Sequence, residues 1–465
     1  MKLPLTISKV QEGLKSGDYS CVDLVDMHLG RIRAVDHKLN AFITVTDNYA
    51  YDLAKKHDNT IANDKKAFEN FPLLGVITSL KDVYLTEGIE TTAGSNVLRG
   101  YAPQYSSTVV KKLEAAGAII IGKTNLDAWA HGASGENSDF GSTKNPWHLD
   151  MVPGGSSSGS AVSVAAQMAT ISMGTDTGGS VRLPASFCGV TGFKSTYGTV
   201  SRYGVVSMAS SLDSMGHFTH TVDDAEKVFN IIKGTDSLDS TLSDRSTSLK
   251  KSYKIGLAKE YFEKGIDVQI LQSIEEVRDL FEGDGIEFVD VSLPHTKYGI
   301  SAYYIIMPAE VSSNLGRYDG VRYGAGRDAL GEEAKRRIMM GTHVLSSGYA
   351  EKYYLKAQKI RTLIREDFDS VFTKVDAVIG PVSPTPAFQL GERVEDPIEM
   401  YLADILTVNA NLAGLPAISI PSGFTSSGLP VSYQLIGPHY SENILFSLGK
   451  LYQEKTSFHT KTPTI

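Results

Sequence analysis

LLGVITSLKDVY at residues 73–84, VVKKLEAAG at 109–117 and AGAIIIGKTN at 116–125 read as strand, helix and strand. In the first, Leu74, Val76, Thr78 and Leu80 recur at the period of two that a pleated strand imposes. The third holds an unbroken apolar run through Ile119, Ile120 and Ile121, the pattern of a strand covered on both faces. The segment between them is helical and stops at Gly117. A strand, a crossover helix and a second strand make a βαβ unit, which demands a parallel pair and places the chain in the α/β class.

Outward from that unit the alternation continues. On the N-terminal side the first 45 residues read as helical, with Ser20 and Asp23 in a capping-box pattern and Leu24, Leu29, Ile32 and Val35 at roughly helical spacing. On the C-terminal side come a helix of small residues, SGSAVSVAAQMA at 158–169, and a short strand, TISMG at 170–174. SYKIGLAKEYF, VQILQSIEEVRDLF and IEFVDVSLP form a second strand–helix–strand unit between 252 and 294. KVDAVIGPVSP, LPAISIPSG and LPVSYQLIG add strands before a closing helix at residues 442–454. No repeat, low-complexity tract or linker divides the two halves. The expectation is one α/β domain over 1–465, with room for a peripheral subdomain at about 240–370.

Composition narrows the function classes. The 465 residues are 42% hydrophobic and 21% charged, close to globular averages and far from those of a disordered chain. A net charge of −8 argues against a broad cationic surface for nucleic acid or anionic membrane. Cys21 and Cys188 are too few for a disulfide framework, and no C-x-x-C is present. The N-terminal residues lack the apolar core of a signal peptide, and no apolar run approaches a membrane span. A cytoplasmic protein is expected. Glycine is the one departure: ten of the 43 fall between Gly154 and Gly204, where average usage gives roughly four.

Two motif matches fail on context. GAIIIGKT, Gly117 to Thr124, fits the phosphate-loop expression letter for letter. Its four intervening residues are apolar and mostly β-branched, which suits a strand interior and not a loop of inward N–H groups. GSSSG, Gly155 to Gly159, fits the nucleophile-elbow expression with Ser157 at its centre. The approach to it contains Pro146 and Pro153, so the buried strand an elbow requires is not expected. His217, His220 and His295 read as packing or surface residues.

What remains is a pair of serine- and glycine-rich loops, GGSSSGSA at 154–161 and TDTGGSVR at 175–182. A serine hydroxyl needs a base, and the neighbourhood supplies serine and lysine in place of histidine. Gly178 and Gly179 let the backbone bend so that N–H groups before Ser180 converge, the shape of an oxyanion hole. Each feature has a plainer reading as well. The glycine pair can form a simple tight turn, Ser156 can cap the following helix, and Lys81 can be a solvated strand end.

The whole segment 154–198, GGSSSGSAVSVAAQMATISMGTDTGGSVRLPASFCGVTGFKSTYG, resembles the signature of the amidase signature family. The resemblance implies that family's fold, a large mixed β-sheet covered by helices on both faces, with a signature core at about 70–215. It also implies a Ser–Ser–Lys trio. The serine closing DTGGS is the nucleophile, Ser180; the first serine after the paired glycines, Ser156, follows a cis peptide bond and bridges; the lysine of SLKDV, Lys81, is the base. Thr177, Gly178 and Gly179 would form the oxyanion hole with Ser180. For Lys81 to act as a base it must be neutral, and burial lowers a lysine from about 10.4 by about 3–5 when no carboxylate pairs with it. Asp82 should therefore face away.

NLDAWAHGASGENSDFGSTKNPW at 125–147, EVSSNLGRYDGVRYG at 310–324 and NLAGLPAISIPSG at 411–423 are similar, within that family, to the glutamine-hydrolysing subunits of tRNA-dependent amidotransferases. On this resemblance Tyr303, Arg337 and Asp404 hold glutamine, with a guanidinium for its carboxylate and a carboxylate for its ammonium. The chain itself is expected to bind no cofactor or metal. A B subunit using ATP and Mg2+ would hold the tRNA and receive ammonia, and a small C subunit would complete a heterotrimer. A stand-alone amidase acting on a small amide is the alternative. The chain departs from the family pattern at Ser158, usually glycine, in AHGASGENSDFG at 130–141, and in a short stretch after Tyr323.

Overall fold

The computed structural model describes residues 3–263, 265–393 and 397–465. Among the described residues eleven strands make one mixed sheet: β1 (Phe42–Val45), β2 (Ile77–Lys81), β3 (Ile119–Thr124), β4 (Ile171–Asp176), β5 (Thr191–Lys194), β6 (Ser214–Thr219), β7 (Lys254–Ala258), β8 (Glu287–Val291), β9 (Ala377–Pro381), β10 (Ala417–Phe424) and β11 (Pro430–Ile436). Their order is β1-β3-β2-β4-β6-β5-β10-β11-β9-β7-β8, with helices packed against it. This is the large mixed α/β sheet that the resemblance implied.

The deciding unit folds as its pattern dictates. β2 and β3 are parallel, with Lys81 opposite Thr124, and the helix Thr108–Ala115 joins them. Every residue of β3 is buried, which the isoleucine run requires. The phosphate-loop reading fails for the expected reason: Gly122 and Lys123 lie inside the strand, and the Lys123 amine is buried 2.8 Å from the Asp82 carboxylate. The second unit is parallel as well, its strands β7 and β8 pairing with the helix Val268–Gly283 between them in sequence. Strand β4 continues the parallel set beside β2 and delivers Asp176 and the glycine turn to the same sheet end as Lys81.

The N-terminal reading needs one correction. Helices span Ile7–Ser16 and Cys21–Leu39, the latter opened by the expected capping box of Ser20 and Asp23, but Phe42–Val45 is a strand. Asn40 turns left-handed (φ 53°) and ends the helix, and the run Phe-Ile-Thr-Val, with β-branched residues at three of four positions, pairs antiparallel with the edge of β3. Strand β6 is a further addition, because DSMGHFT offers no alternation; it is buried along its whole length, wedged antiparallel between β4 and β5. His217 lies within it and His220 just beyond, both buried and bonded to backbone carbonyls, in packing roles.

Candidate functional site

Lys81 ends β2, fully buried, and its amine lies 2.8 Å from Ser156 Oγ, 2.9 Å from Thr175 Oγ1 and 3.0 Å from Ser157 Oγ. Among the described residues no carboxylate makes an ion pair with it. Burial brings its pKa down to about 7, against the opposing fields of Asp127, Asp213 and Asp176. Its neighbour Asp82, in the turn that follows β2, faces the other way, onto Lys123 and Thr92, as a neutral Lys81 requires.

The three hydroxyls are not equivalent. Ser157 gives its proton to the Thr175 carbonyl and accepts from the Thr175 amide, so it is engaged on both sides. Among the described residues the Ser156 hydroxyl is bonded to Lys81 alone, which leaves it able to give a proton to a neutral amine or take one from an ammonium. Ser156 follows a cis peptide bond from Gly155. Ser157 and Thr175 carry no sequence signal beyond serine richness. Ser158 turns its hydroxyl to Thr143 and leaves Lys81 untouched.

Ser180 closes the turn after β4, and its hydroxyl has no hydrogen-bond partner among the described residues. The N–H groups of Thr177, Gly178, Gly179 and Ser180 also lack acceptors there, a set of donors free to receive an oxygen. Gly179 has φ 144°, and a Cβ on it would lie 2.3 Å from Thr407 Oγ1, so only glycine fits. The Thr177 side chain is tied to Asp213 at 2.8 Å, and the Gly178 carbonyl accepts from Thr407 Oγ1 at 2.6 Å.

Behind the turn sits Arg182, a residue that sequence reasoning does not single out. Its buried guanidinium forks onto Asp176 and reaches Gln434 Oε1, Asn411 Oδ1 and the Thr407 carbonyl, locking the turn to β11 and the helix Val408–Ala413. This ion pair holds the Asp176 carboxyl down at about 2 despite complete burial. An arginine two residues after the serine is the available signal, but an arginine in sequence does not show whether it is inside.

Tyr303, Arg337 and Asp404 come to the same place. A Cβ on Gly178 would touch the Tyr303 hydroxyl at 2.7 Å, and one on Gly179 would lie 3.2 Å from Asp404 Oδ1. Arg337 is buried, whereas its neighbour Arg336 is 43% exposed. Its Nε donates to Glu333 at 2.6 Å, its guanidinium carbon lies 4.7 and 4.6 Å from the centres of the Tyr304 and Tyr401 rings, and its Nη1 has no partner among the described residues. Tyr304 and Tyr401 are additions to the predicted set. Burial pushes Asp404 well above the usual carboxylate range, with Asp176 adding to the effect. His131 and Ser134, in the divergent 130–141 segment, are buried with polar atoms unpartnered, and burial beside Arg337 lowers His131 to about 3, so its ring is neutral. Unpaired donors beside a raised carboxyl are the complement of a small zwitterion. Among the described residues no group of three or more His, Cys, Asp or Glu is placed to hold a metal.

The amidase family model matches residues 23–446. The A subunit of the glutamyl-tRNA(Gln) amidotransferase of Carboxydothermus hydrogenoformans is 48% identical over 99% of both chains, and that of Geobacter metallireducens 46% over 98% of both. The crystal structure of the corresponding protein from Thermotoga maritima superposes with a TM-score of 0.80 at 40% identity, covering 97% of this chain and 95% of that one. A buried lysine on two serines, a free-donor turn ending in serine and a full-length match agree with one another: this chain belongs to the amidase signature family.

Proposed function

We propose that the chain is the glutamine-hydrolysing component of a tRNA-dependent amidotransferase, with Lys81, Ser156 and Ser180 as its acyl-transfer trio. The observation that carries the chemistry is the buried Lys81 amine, free of any ion pair among the described residues, on Ser156 and brought to a pKa of about 7. A lysine in that state accepts a proton near neutral pH, as general-base catalysis asks. Ser180 attacks the carboxamide carbon of glutamine; its proton passes to Ser156 as Ser156 gives its own to Lys81. The carbonyl oxygen, now negative, falls to the N–H groups of Thr177, Gly178, Gly179 and Ser180, each such donor being worth about 2.7–4 kcal/mol. Lys81 returns the proton through Ser156 to the departing ammonia, leaving an acyl ester on Ser180. Water, activated by the same pair, releases glutamate.

Tyr303, Arg337 and Asp404 orient the substrate. The free Nη1 of Arg337 suits the α-carboxylate and Asp404 the α-ammonium. A cation arriving at Asp404 replaces the proton that burial holds there.

Ammonia set free by this chain needs an acceptor, and the glutamyl-tRNA(Gln) amidotransferase relatives point to glutamyl-tRNA as the final one. On this reading a B subunit, with ATP and Mg2+, activates the tRNA-bound carboxylate and holds the tRNA, and a C subunit completes a cytoplasmic heterotrimer. The net charge of −8 agrees with the tRNA being held elsewhere. No helix among the described residues is long and apolar enough to cross a membrane. A single domain is supported by one sheet running through both halves of the sequence.

The test is amidation of Glu-tRNA(Gln), and separately of Asp-tRNA(Asn), by this chain co-purified with its B and C partners. Glutamine-dependent product is expected, lost in Ser180→Ala and restored by added ammonium salt. Hydrolysis of aryl or peptide amides in preference to glutamine, with no amidated tRNA, would replace this reading with a stand-alone amidase.

A further inference from the structure

Asp127 is a fully buried carboxylate that the trio does not use and that no side-chain cation touches among the described residues. It stands between the two parts of the site. On one side both its oxygens accept from the Gly135 amide at 3.1 Å, and Oδ1 accepts from the Asn137 amide at 2.9 Å, folding residues 132–137 around it. That segment carries Ser134 and lies with Arg337, Tyr304 and Tyr401 around one small cavity. On the other side the Asp127 amide donates to the Ser156 carbonyl at 3.2 Å, and the Gly155 amide donates to the Ala133 carbonyl at 2.8 Å. Two glycines make room for the carboxylate. A Cβ on Gly155 would lie 2.0 Å from Oδ2, and one on Gly132 would lie 2.4 Å from Cγ. The strip from Gly132 to Asn137 and the strip from Gly155 to Ser156 are thus both moulded to one side chain.

Resting on the reading of Lys81, Ser156 and Ser180 as the trio, we infer that Asp127 is the positioning residue that fixes the Ser156 strip and the substrate-side strip 132–137 relative to Lys81. Its charge acts in the same place. Asp127 supplies the largest opposing field on Lys81, ahead of Asp213 and Asp176; Asp82 is occupied by Lys123, and the remaining groups on the amine are the hydroxyls of Ser156, Ser157 and Thr175. Around Asp127 itself the charged and titratable groups are Lys81, Glu136 and Asp404, whose carboxyl Asp127 helps to raise. Burial raises Asp127 to about 6, so above that pH it holds its negative charge where the lysine feels it. The carboxylate keeps the amine from losing its proton too readily, which a base that must later act as an acid requires.

The experiment measures kcat and KM for glutamine from pH 5.5 to 9 in the assembled complex for wild type, Asp127→Asn and Asp127→Glu. Asparagine keeps the size and one acceptor oxygen but removes the charge. The acid limb of kcat/KM is expected to move toward lower pH by on the order of one unit, as loss of a neighbouring opposite charge predicts, with KM raised about tenfold through the loosened 132–137 strip. Asp127→Glu is expected to keep the limb at its wild-type position, since it retains the charge. An Asp127→Asn limb at the wild-type pH with KM unchanged would overturn the inference. Activity independent of Ser180 would instead overturn the trio reading, so the two failures are distinct. Should Asp127→Asn not fold, the wild-type chain decides the matter by lysine-selective 13Cε NMR. Two-step titration of Lys81, reporting its own proton and that of Asp127, is expected; a single step overturns the inference.

Discussion

Replacing Lys81 with methionine keeps an unbranched stem and removes the amine, which separates the proton acceptor from the packing. In the folded chain the amine is brought from 10.5 to about 7, chiefly by burial. At 1.36 kcal/mol per pH unit, stripping it of its proton at pH 7.5 costs the folded state about 4 kcal/mol relative to the unfolded chain. The sign follows from proton counts. Between pH 7 and 10.5 the unfolded chain carries the proton and the folded chain does not, so stability rises with pH across that window; below pH 7 both carry it, and this group contributes no slope. The methionine variant removes the linkage but abandons the bonds to Ser156, Ser157 and Thr175; Ser157 keeps its Thr175 backbone partners, whereas the Ser156 and Thr175 hydroxyls are both left unsatisfied, at about 1–3 kcal/mol each. Lys81→Met is therefore expected to lie within about 2 kcal/mol of wild type at pH 7.5 in urea unfolding, and to be less stable at pH 10, where the wild type's linkage cost has fallen to about 1 kcal/mol, so that the difference between variant and wild type shifts by about 3 kcal/mol between the two pH values. Ammonia release from glutamine should fall by about 10²–10⁴-fold. Wild-type kcat/KM should rise through a limb near pH 7, about tenfold from pH 6 to the plateau. A limb near pH 7 that survives in the variant, or a stability difference between variant and wild type that does not change from pH 7.5 to 10, would refute the assignment of a costly, desolvated base.

The other perturbations are separable. Ser156→Ala is expected to lower the hydrolysis rate by about 10²-fold or more, whereas Ser157→Ala, whose proton is committed to the Thr175 carbonyl, should lower it by less than about tenfold; equal losses would undo the choice of Ser156 as the bridge. Arg182→Met leaves Asp176 buried without its cation and should cost about 3–5 kcal/mol in thermal or urea unfolding. A change under 1 kcal/mol, on the order of a surface pair, would show that Arg182 does not lock the turn. Because burial raises Asp404, the KM for glutamine should climb as pH falls and Asp404 stays protonated; Asp404→Asn should have a high KM that no longer varies with pH, checked by steady-state kinetics. Restoration of wild-type KM at high pH in that variant would remove Asp404 from the ammonium site.

Much of the site is legible in the sequence because its signals are local. Lys81 and Asp82 are adjacent in sequence, so a lysine that must stay unpaired requires Asp82 to face away, and Asp82, in the turn after β2, lies on Lys123. The β-branched run at 119–121 outweighs a perfect phosphate-loop match because side-chain shape decides between strand and loop before the letters do. β1 and β6 are less legible. Four residues at an edge and a run without alternation become strands only when a neighbour supplies hydrogen bonds.

By itself the sequence determined the α/β class, the parallel unit around Lys81, and the glycine and serine turns whose residue types suit the proposed Ser–Ser–Lys site. Burial was decided by the tertiary structure. Nothing in the letters distinguishes Arg337 from Arg336, yet packing buries one against two tyrosine rings and leaves the other half-exposed on Glu333. Nor do they show that Asp127 acts on a lysine so far back in the chain, or that Arg182 meets Gln434 across the sheet. A residue's charge state depends on the water removed from around it and the charges left beside it, and both are set by chain segments distant in sequence.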